Sequence, residues 1–313
     1  MKSIKLFESN STSAVKSDKT IISPIPYMGN KERLIDNGLI SMFPRRIHTF
    51  VDLFSGSGIV SMNTRAYRII MNDIDTHLIE LYELFKTHTA DYIIQHIESR
   101  IQEFGLSTET TKRYVFKDTE KINQYKEAYA KLRDTYNREK NTLDFCTLMY
   151  FSFSQQFRFN SDGDFNMPCG DDYFSEYQKG GIISGCDFFH NNDVIITNLD
   201  FKLFDVSSLS TGDFVYLDPP YFITLAVYTE NRNEYAGWSA EDEQALYSLC
   251  ESLNNNGVHF GMSNVFRNKD KTNQTLIDWC KYHQFQVHRF HSHTYSACGK
   301  GNSNAEEVFI TNY

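Results

Sequence analysis

Paired cysteines are missing from this chain of 313 residues. Its six cysteines form no Cys-x-x-Cys pair, and Cys and His do not cluster at the spacing of a zinc site. Single cysteines scattered along a chain of this length are typical of a reducing compartment, where thiols stay free. We therefore expect neither a disulfide framework nor a bound metal.

The sequence also lacks a long apolar run. It has no stretch of about 18 apolar residues that could span a bilayer, and its first residues lack the apolar core of a secretory signal peptide. Residues 1–20 are rich in Ser, Thr and Lys, which predicts a mobile N-terminal tail. We expect a cytoplasmic protein, of a bacterial cell or a phage-infected host, that contacts no membrane.

An excess of basic residues is absent too. The net charge is −9, which is unusual for a protein that binds nucleic acid. The charge is unevenly distributed along the chain, because residues 100–160 contain 11 Lys and Arg against 8 Asp and Glu, a local net charge of +3. The charge distribution permits a DNA-facing segment on an acidic body, but it does not require one.

Short runs of β-branched and aromatic residues alternate with helical patterns. The runs predict strands at residues 49–54, 68–72, 194–197, 214–217, 258–262 and 307–311. Helices are predicted at residues 75–86 and 240–254, and a capping box at Ser239 begins the second. This alternation indicates an α/β fold, with a mostly parallel sheet covered by helices on both faces.

The alternation stops between about residues 88 and 190. Residues 88–160 are charged, rich in Tyr and biased toward helix, whereas residues 161–192 have the composition of a long loop. We therefore predict a helical insert between two strands of the α/β body. Inserts on a shared scaffold commonly carry substrate specificity.

A glycine-rich turn follows the first predicted strand. Gly56 and Gly58 come directly after the apolar run that contains Asp52, at the sheet edge where doubly wound folds bind ligands. The full dinucleotide fingerprint is not met, because Ser61 occupies its third glycine position. Asp73 ends the second strand, where an acid can bind ribose hydroxyls. These residues predict a cofactor that contains adenosine, either NAD or S-adenosylmethionine; alternatively, Asp73 caps a helix and Asp52 caps a loop.

The tetrapeptide Asp218-Pro219-Pro220-Tyr221 follows the fourth predicted strand. Two prolines cannot continue a central strand, so the chain must leave the sheet at its carboxyl edge. An exocyclic amine is a poor nucleophile unless two acceptors take hydrogen bonds from its two N–H groups. The Asp218 carboxylate and the Pro219 carbonyl could be these acceptors, and Tyr221 could stack on a flipped base. The alternative is a rigid turn that only ends a strand.

These motifs resemble the Dam type of DNA adenine-N6 methyltransferase, and most of all the Dam enzymes encoded by bacteriophages. The matching blocks occur in the family's order at residues 26–31, 50–58, 72–74, 158–160 with 165–170, 218–221 and 261–264. The resemblance implies a Rossmann-like class I methyltransferase sheet, with a catalytic domain at residues 21–87 and 191–313 and a target-recognition insert at residues 88–190. It also implies methyl transfer from S-adenosylmethionine to adenine N6 in double-stranded DNA.

The resemblance assigns roles to individual residues. The residues implied to bind the cofactor are Tyr27, Lys31, Phe54, Gly56, Gly58, Asp73 and Asp218. The glycine-rich turn adds Asp52 to this set. Those implied to contact DNA are Phe153, Ser154, Gln156, Arg158, Asn160 and Pro168. The implied catalytic residues are Asp218, Pro219, Pro220 and Tyr221. Alternatives remain for two of them: Phe153 could be a core residue and Lys31 a solvated lysine at a helix start.

The sequence departs from the family at two recognition positions. Pro26 stands where bacterial relatives have a Lys that contacts the first base pair, and Asp172 stands where a phage relative has Arg. Arg158 is retained, and Arg is well suited to a bidentate contact with guanine. The resemblance favours methylation at GATC, with looser discrimination at the first base.

Other interpretations are open at this point. A cytosine-C5 enzyme would use Cys169 after Pro168, but the tetrapeptide would then have no role. Cytosine N4 is an exocyclic amine open to the same geometry, and RNA or a protein glutamine are further substrate options. A DNA-binding subunit without activity could also keep the fold. A restriction endonuclease is a possible partner.

Overall fold

The computed structural model describes residues 20–27, 29–112, 117–225, 238–290 and 305–313. The predicted N-terminal tail lies outside these ranges, except for Thr20, whose hydroxyl donates to a carboxylate oxygen of Asp36 at 2.6 Å. Within the described ranges, no helix combines the length and the apolar character needed to cross a bilayer.

One sheet forms the centre of the described fold. Its strands are β1 (Thr49–Asp52), β2 (Arg68–Asn72), β3 (Val194–Thr197), β4 (Phe214–Leu217), β5 (His259–Asn268), β6 (Lys271–Thr272), β7 (Gln286–Phe290) and β8 (Glu306–Thr311). Their order is β3-β2-β1-β4-β5-β8-β7, and β6 pairs with β5. Strands β1 to β5 are parallel, whereas β8 runs antiparallel to both β5 and β7. The winding direction changes between β1 and β4, which is where such sheets bind ligands.

The central strands are buried on both faces. Phe50 and Phe214 belong to the core on one face, whereas Val51 and Val215 belong to the core on the other. Successive side chains of a strand point to opposite faces, so both faces need a cover of helices. The first face is covered by α3 (Thr76–Thr87) and α7 (Glu176–Asn191), and the second by α9 (Ala240–Asn255) and α10 (Gln274–His283). The predicted Rossmann-like α/β fold is confirmed.

The segment between β2 and β3 is mostly helical. Besides α3 and α7 it contains α4 (Ala90–Phe104), α5 (Thr119–Glu139) and α6 (Thr142–Phe151). Helix α6 is buried along almost its whole length, and its apolar side chains join the core of the first sheet face. Three short helices, α1 (Glu32–Asp36), α2 (Ile59–Met62) and α8 (Phe222–Leu225), complete the described set. The predicted boundaries of the insert, residues 88–190, stay a prediction.

The prediction of a continuous loop at residues 161–192 is wrong over its second half. Helix α7 begins at a capping box made by Ser175 and Gln178. Its glycines are contact points: a Cβ at Gly181 would lie 3.0 Å from the carbonyl oxygen of Ser23, and one at Gly185 would lie 2.6 Å from Cγ of Pro24. The glycines that suggested a loop therefore allow the N-terminal segment to pack closely against a helix.

Strand β7 was not predicted, and β5 is longer than predicted. The β7 sequence, QVHRF, is mostly polar, and its strand lies at the edge of the sheet with only Phe290 buried. An edge strand has one open side, so its sequence need not show the apolar run of a central strand. Strands β2, β3 and β4 begin and end as predicted.

Candidate active site

The candidate site lies at the carboxyl edge of β2, β1 and β4, which are adjacent and parallel. Asp52 ends β1, Asp73 follows β2 and Asp218 follows β4. Because parallel strands end at the same edge of a sheet, these three carboxylates from distant parts of the sequence come together. The structure thus brings the predicted glycine turn, the predicted ribose-binding acid and the proline tetrapeptide to one place.

The turn after β1 depends on two glycines in the left-handed region. Gly56 has a φ of +52° and Gly58 a φ of +74°. A Cβ at Gly58 would lie 2.7 Å from Cε of Met71, and one at Gly56 would lie 3.0 Å from the ring of Tyr27. The ring of Tyr27 therefore stands directly against the turn. The left-handed backbone conformation disfavours a larger residue at Gly58, and an added Cβ would also force the tip of the Met71 side chain to shift.

Gly58→Ala is expected to damage the turn beyond its effect on stability. A left-handed alanine costs about 1–2 kcal/mol of folding free energy, and here the new methyl group would also meet Met71. Gly105 at the end of α4 is a matched control, with a φ of +76° and no heavy atom within 4 Å of an added Cβ. Both substitutions should lower the free energy of unfolding by about 1–2 kcal/mol. Calorimetric titration should show S-adenosylmethionine binding weakened, by about tenfold or more, in Gly58→Ala alone; equal affinities in the two variants would contradict this.

Asp73 fastens the glycine turn to the end of β2. One carboxylate oxygen accepts a hydrogen bond from the backbone N–H of Gly56 at 2.9 Å, and the other accepts one from the backbone N–H of Asp75 at 3.0 Å. The alternative role of helix cap is wrong for Asp73, because Asp75 caps α3 through the N–H of His77. Burial raises the pKa of Asp73 to about 6, although these backbone hydrogen bonds oppose the shift.

Asp52 is a buried acid with one unused oxygen. Its Oδ2 accepts a hydrogen bond from the Ser61 hydroxyl at 2.7 Å, whereas its Oδ1 is buried and has no hydrogen-bond partner. Burial, together with the nearby carboxylates of Asp218 and Asp73, raises its pKa to about 7, although the hydrogen bond from Ser61 opposes the shift. Ser61, which breaks the glycine fingerprint, therefore orients Asp52. An unpartnered buried acceptor beside a glycine turn is suited to a polar group of a ligand.

Asp52→Asn is expected to stabilise the free protein at alkaline pH. The folded-state pKa of about 7 lies above the unfolded value of 3.8, so the stability from the protonated acid is lost as the pH rises through about 7. The loss amounts to about 4 kcal/mol at most. Urea denaturation at about pH 4 and pH 8 should show this decrease in the native protein and a smaller one in Asp52→Asn, which keeps Asp73 with its raised pKa of about 6.

Asp213 provides the control for this comparison. Its carboxylate is also buried, but it accepts backbone hydrogen bonds from Thr49 and Ser210, both at 2.8 Å. Asp213→Asn should therefore destabilise the protein at alkaline pH. A pH dependence of unfolding that is unchanged by Asp52→Asn would show that the acid does not titrate in the predicted range.

Asp218 is held from two sides. Nζ of Lys31 lies 2.5 Å from its Oδ2, and the Tyr221 hydroxyl donates to its Oδ1 at 3.0 Å. Lys31 also donates to the carbonyl oxygen of Gly29 at 2.7 Å and lies 5.5 Å from the centre of the Tyr221 ring. Burial raises the pKa of Asp218, whereas Lys31 and Tyr221 lower it. Lys31 is only 4% exposed, so the alternative of a solvated lysine is wrong.

Aromatic residues that the sequence analysis did not single out stand beside the glycine turn. Phe54 lies 5.3 Å from Phe201 and 5.8 Å from Trp238 between ring centroids, and the rings of Phe201 and Trp238 are 5.2 Å apart. Phe201 follows β3, whose carboxyl end is at the same edge of the sheet. The sequence signal for Phe201 was its position shortly after a predicted strand, but no motif accompanied this residue.

The residues implied to contact DNA lie in one loop, residues 153–168, which we call the recognition loop. Its ends meet where the N–H of Phe153 donates to the carbonyl of Pro168 at 2.8 Å. Nε of Arg158 donates to Oδ1 of Asn166 at 2.7 Å, so the guanidinium is fixed across the loop. Asn160 accepts hydrogen bonds from two backbone N–H groups of the loop tip. Ser154 has a φ of +55°, a strained conformation typical of functional loops.

The exposure of Phe153, the aromatic contacts of the recognition loop and the ion pair of Asp172 describe the surroundings of this loop. Phe153 is 49% exposed, so it is not a core residue. The loop is anchored by aromatic contacts: Phe159 stacks on His77 at 3.5 Å between ring centroids, and Phe157 lies 6.3 Å from Tyr27. Asp172, the second departure from the family, forms an ion pair with Lys112 at 3.2 Å.

Two other chemistries find little support in the described residues. Burial raises the pKa of the Cys169 thiol to about 11, which opposes formation of the thiolate that a cytosine-C5 mechanism needs. Within the described ranges, no group of three His, Cys, Asp or Glu side chains could hold a metal ion.

Comparisons with known proteins agree with this geometry. A family model described as D12 class N6 adenine-specific DNA methyltransferase matches residues 27–290. The chain is 35% identical over 310 residues to the modification methylase StsI of Streptococcus sanguinis, covering 97% of this chain and 45% of that protein. It is 35% identical over 301 residues to the type II methyltransferase M.FokI of Planomicrobium okeanokoites, covering 95% and 44%. It is 27% identical over 258 residues to a DNA adenine methylase of Vibrio cholerae, covering 79% and 81%. The chain thus spans less than half the length of the two modification methylases.

Proposed function

Because the chain belongs to the D12 class N6 adenine-specific DNA methyltransferase family, we propose that it transfers a methyl group from S-adenosylmethionine to N6 of an adenine in double-stranded DNA. The observation that carries the proposal is the position of Asp218. Its carboxylate is fixed by Lys31 at the end of β4, beside the glycine turn that ends β1. A site for the cofactor and an acceptor for an amine are thereby adjacent.

The residues around the turn fit S-adenosylmethionine. Gly56 has no Cβ on the side that Tyr27 faces, and Oδ1 of Asp52 is a buried acceptor without a partner. Tyr27, Phe54 and Asp73 would complete the site, with Asp73 facing the ribose. When bound, the cofactor supplies an electrophilic methyl group on a sulfonium centre.

The chain's own residues would prepare the target amine. The Asp218 carboxylate accepts a hydrogen bond from one N–H group of the amine, and the carbonyl of Pro219 accepts one from the other. These two hydrogen bonds concentrate the lone pair on nitrogen. The methylated nitrogen would carry a positive charge and would have to lose one proton. Burial raises the pKa of Asp218 and so favours its taking up that proton. Tyr221 stacks on the base once it has left the duplex.

The recognition loop would supply sequence discrimination. Phe153, Ser154, Gln156, Asn160 and Pro168 are its further candidate DNA contacts, and four of them are exposed. Arg158→Ala is expected to reduce discrimination at one base pair, by about 1–3 kcal/mol. Asn166→Ala is the paired variant, because it removes the hydrogen bond to Nε of Arg158 but keeps the one to its own backbone carbonyl, and it should have a smaller effect in the same direction. Competition between duplexes that differ at one base measures this, and an equal loss on every sequence would mean that Arg158 holds only phosphate.

The proposed role is protection of DNA against a restriction endonuclease of the same system. The support is that the two modification methylases share 35% identity with the chain, whereas the DNA adenine methylase of Vibrio cholerae shares 27%. For the target we propose GATC or a related short site. Pro26 has no side-chain donor for a guanine edge, and Asp172 would repel its acceptors, so the first base should be read loosely.

Modified-base sequencing of DNA from cells that express the chain tests the proposal. We expect 6-methyladenine at GATC and at sites altered in their first base. Detection of 4-methylcytosine instead would overturn the adenine assignment. A strictly read, unrelated motif would overturn the site alone, and unmodified DNA from cells with folded protein would indicate a binding subunit without activity.

A further inference from the structure

A groove adjoins the candidate active site next to Tyr27 and Gly29. Its cavity volume is about 450 Å³, and its wall passes from Tyr27 and Gly29 to Arg33 and Arg289. Gly29 is the residue whose carbonyl oxygen accepts from Lys31. The groove therefore begins at the backbone segment that fixes Asp218.

The topology of the sheet brings the far wall of the groove to the same edge as the active site. Strand β7 is antiparallel to β8, and β8 is antiparallel to β5, so β7 runs in the direction of β1 to β5. Arg289 and Phe290 end β7, and they therefore lie at the carboxyl edge where β1 and β4 end. DNA that presents a base to Asp218 must pass across this edge.

The groove is lined by exposed Arg and Asn side chains, which are suited to contacts with DNA phosphates. Arg33 and Arg289 are exposed, and the exposed amides of Asn30 and Asn37 line the same groove of a chain with a net charge of −9. Glu306 accepts from Nε of Arg289 at 2.8 Å, which fixes the guanidinium and partly offsets its charge. Glu307 also lines the groove but is almost fully buried. Arginine and asparagine side chains of this kind position a duplex without reading its sequence.

We propose that this groove binds the sugar–phosphate backbone of DNA next to the flipped base, with Arg33 and Arg289 as phosphate contacts. The inference rests on the proposed function and deepens it, because it adds a second DNA contact on the catalytic body. The recognition loop would identify the site, and the groove would hold the duplex in place while the base leaves it.

The test compares Arg33→Gln, Arg289→Gln and the double variant with Arg68→Gln. Arg68 is a close control for Arg289: its side chain is 50% exposed against 53%, its Nε pairs with Asp193 at 2.8 Å, and it lies at the start of β2, on the opposite edge of the sheet. Fluorescence anisotropy with a labelled duplex gives the affinity as a function of salt. Each groove substitution should reduce the slope of log K against log salt by about 0.9 and weaken binding about eightfold at about 0.1 M salt.

Duplexes with and without the methylated site should be affected equally, because phosphate carries no sequence information. Arg68→Gln should leave the slope unchanged, and calorimetry should show the same S-adenosylmethionine affinity in every variant. A slope for the double variant equal to that of the native protein would overturn the inference and leave the groove to another occupant, such as a protein segment. Failure of the proposed function would differ from this, because the native protein would then methylate no DNA.

Discussion

Asp218→Asn is expected to lower the rate of methyl transfer at least about 100-fold, the loss typical of removing one preorganised electrostatic group. The amide keeps the size of the carboxylate but has no charge and only one acceptor atom. Lys31 and a target amine would have to share this one uncharged acceptor, and the amide cannot take up the proton that the amine loses. A single-turnover assay with saturating cofactor and DNA isolates this step from binding.

Loss of fold has to be distinguished from loss of chemistry in this variant, because Lys31 would keep a buried charge without its partner. Asp213→Asn is the control, since Asp213 immediately precedes β4 and Asp218 immediately follows it. Asp213→Asn should lower the thermal transition but spare the rate of the folded protein. Calorimetry should give nearly native S-adenosylmethionine affinity for Asp218→Asn. A folded Asp218→Asn protein with normal turnover would refute the assignment of this site.

Lys31→Met is expected to lower the rate about 10- to 100-fold near neutral pH, since a charge-assisted hydrogen bond contributes about 1.5–3 kcal/mol. Burial raises the pKa of Asp218 and Lys31 lowers it, so loss of the ammonium group should raise that pKa further. The ionised carboxylate is the active form, and activity is therefore lost as the pH falls. The acidic limb of the pH–rate profile should move to higher pH in the variant.

Lys31→Arg keeps the charge and is the matched variant for Lys31→Met. Its acidic limb should stay near the native position, even if the larger side chain lowers the rate through poor fit in a buried site. Rates measured from about pH 5 to pH 9 with saturating cofactor separate the two effects. An unchanged acidic limb in Lys31→Met would mean that another group controls the ionisation of the site.

Sequence patterns predicted the central strands well because these strands are buried on both faces. Strands β2 and β4 consist of apolar runs bounded by polar residues, and such runs have few alternatives to a strand. Strand β3 lies at the edge of the sheet and is mostly exposed or half-buried, but it keeps the apolar run VIIT that predicted it. The pattern failed where a tertiary contact decided the structure. Helix α7 contains glycines that face Ser23 and Pro24, and a glycine gives the same signal in a loop as at a close helix contact.

The site was predictable to a similar extent. Asp52, Asp73 and Asp218 each end a strand, and fold topology alone implies that they meet. The ion pair between Lys31 and Asp218 has no local signature, because it depends on the path of the N-terminal segment across the sheet edge. Phe201 and Trp238 were missed for the same reason: their contact with Phe54 joins three separate parts of the chain.

The residues Ser23 and Pro24 restrict how the protein can exchange parts with its relatives. Pro24 accepts a hydrogen bond from Tyr150 of α6 and lies on Gly185 of α7, while the Ser23 hydroxyl donates to the carbonyl of Ser57 in the glycine turn. Recombination that replaced the insert as a cassette would place foreign helices on this segment. Any side chain at Gly185 would displace Pro24 and disturb the turn behind it. Under the proposed function, new target sequences would therefore be reached more readily through point substitutions in the recognition loop, which leave this junction intact.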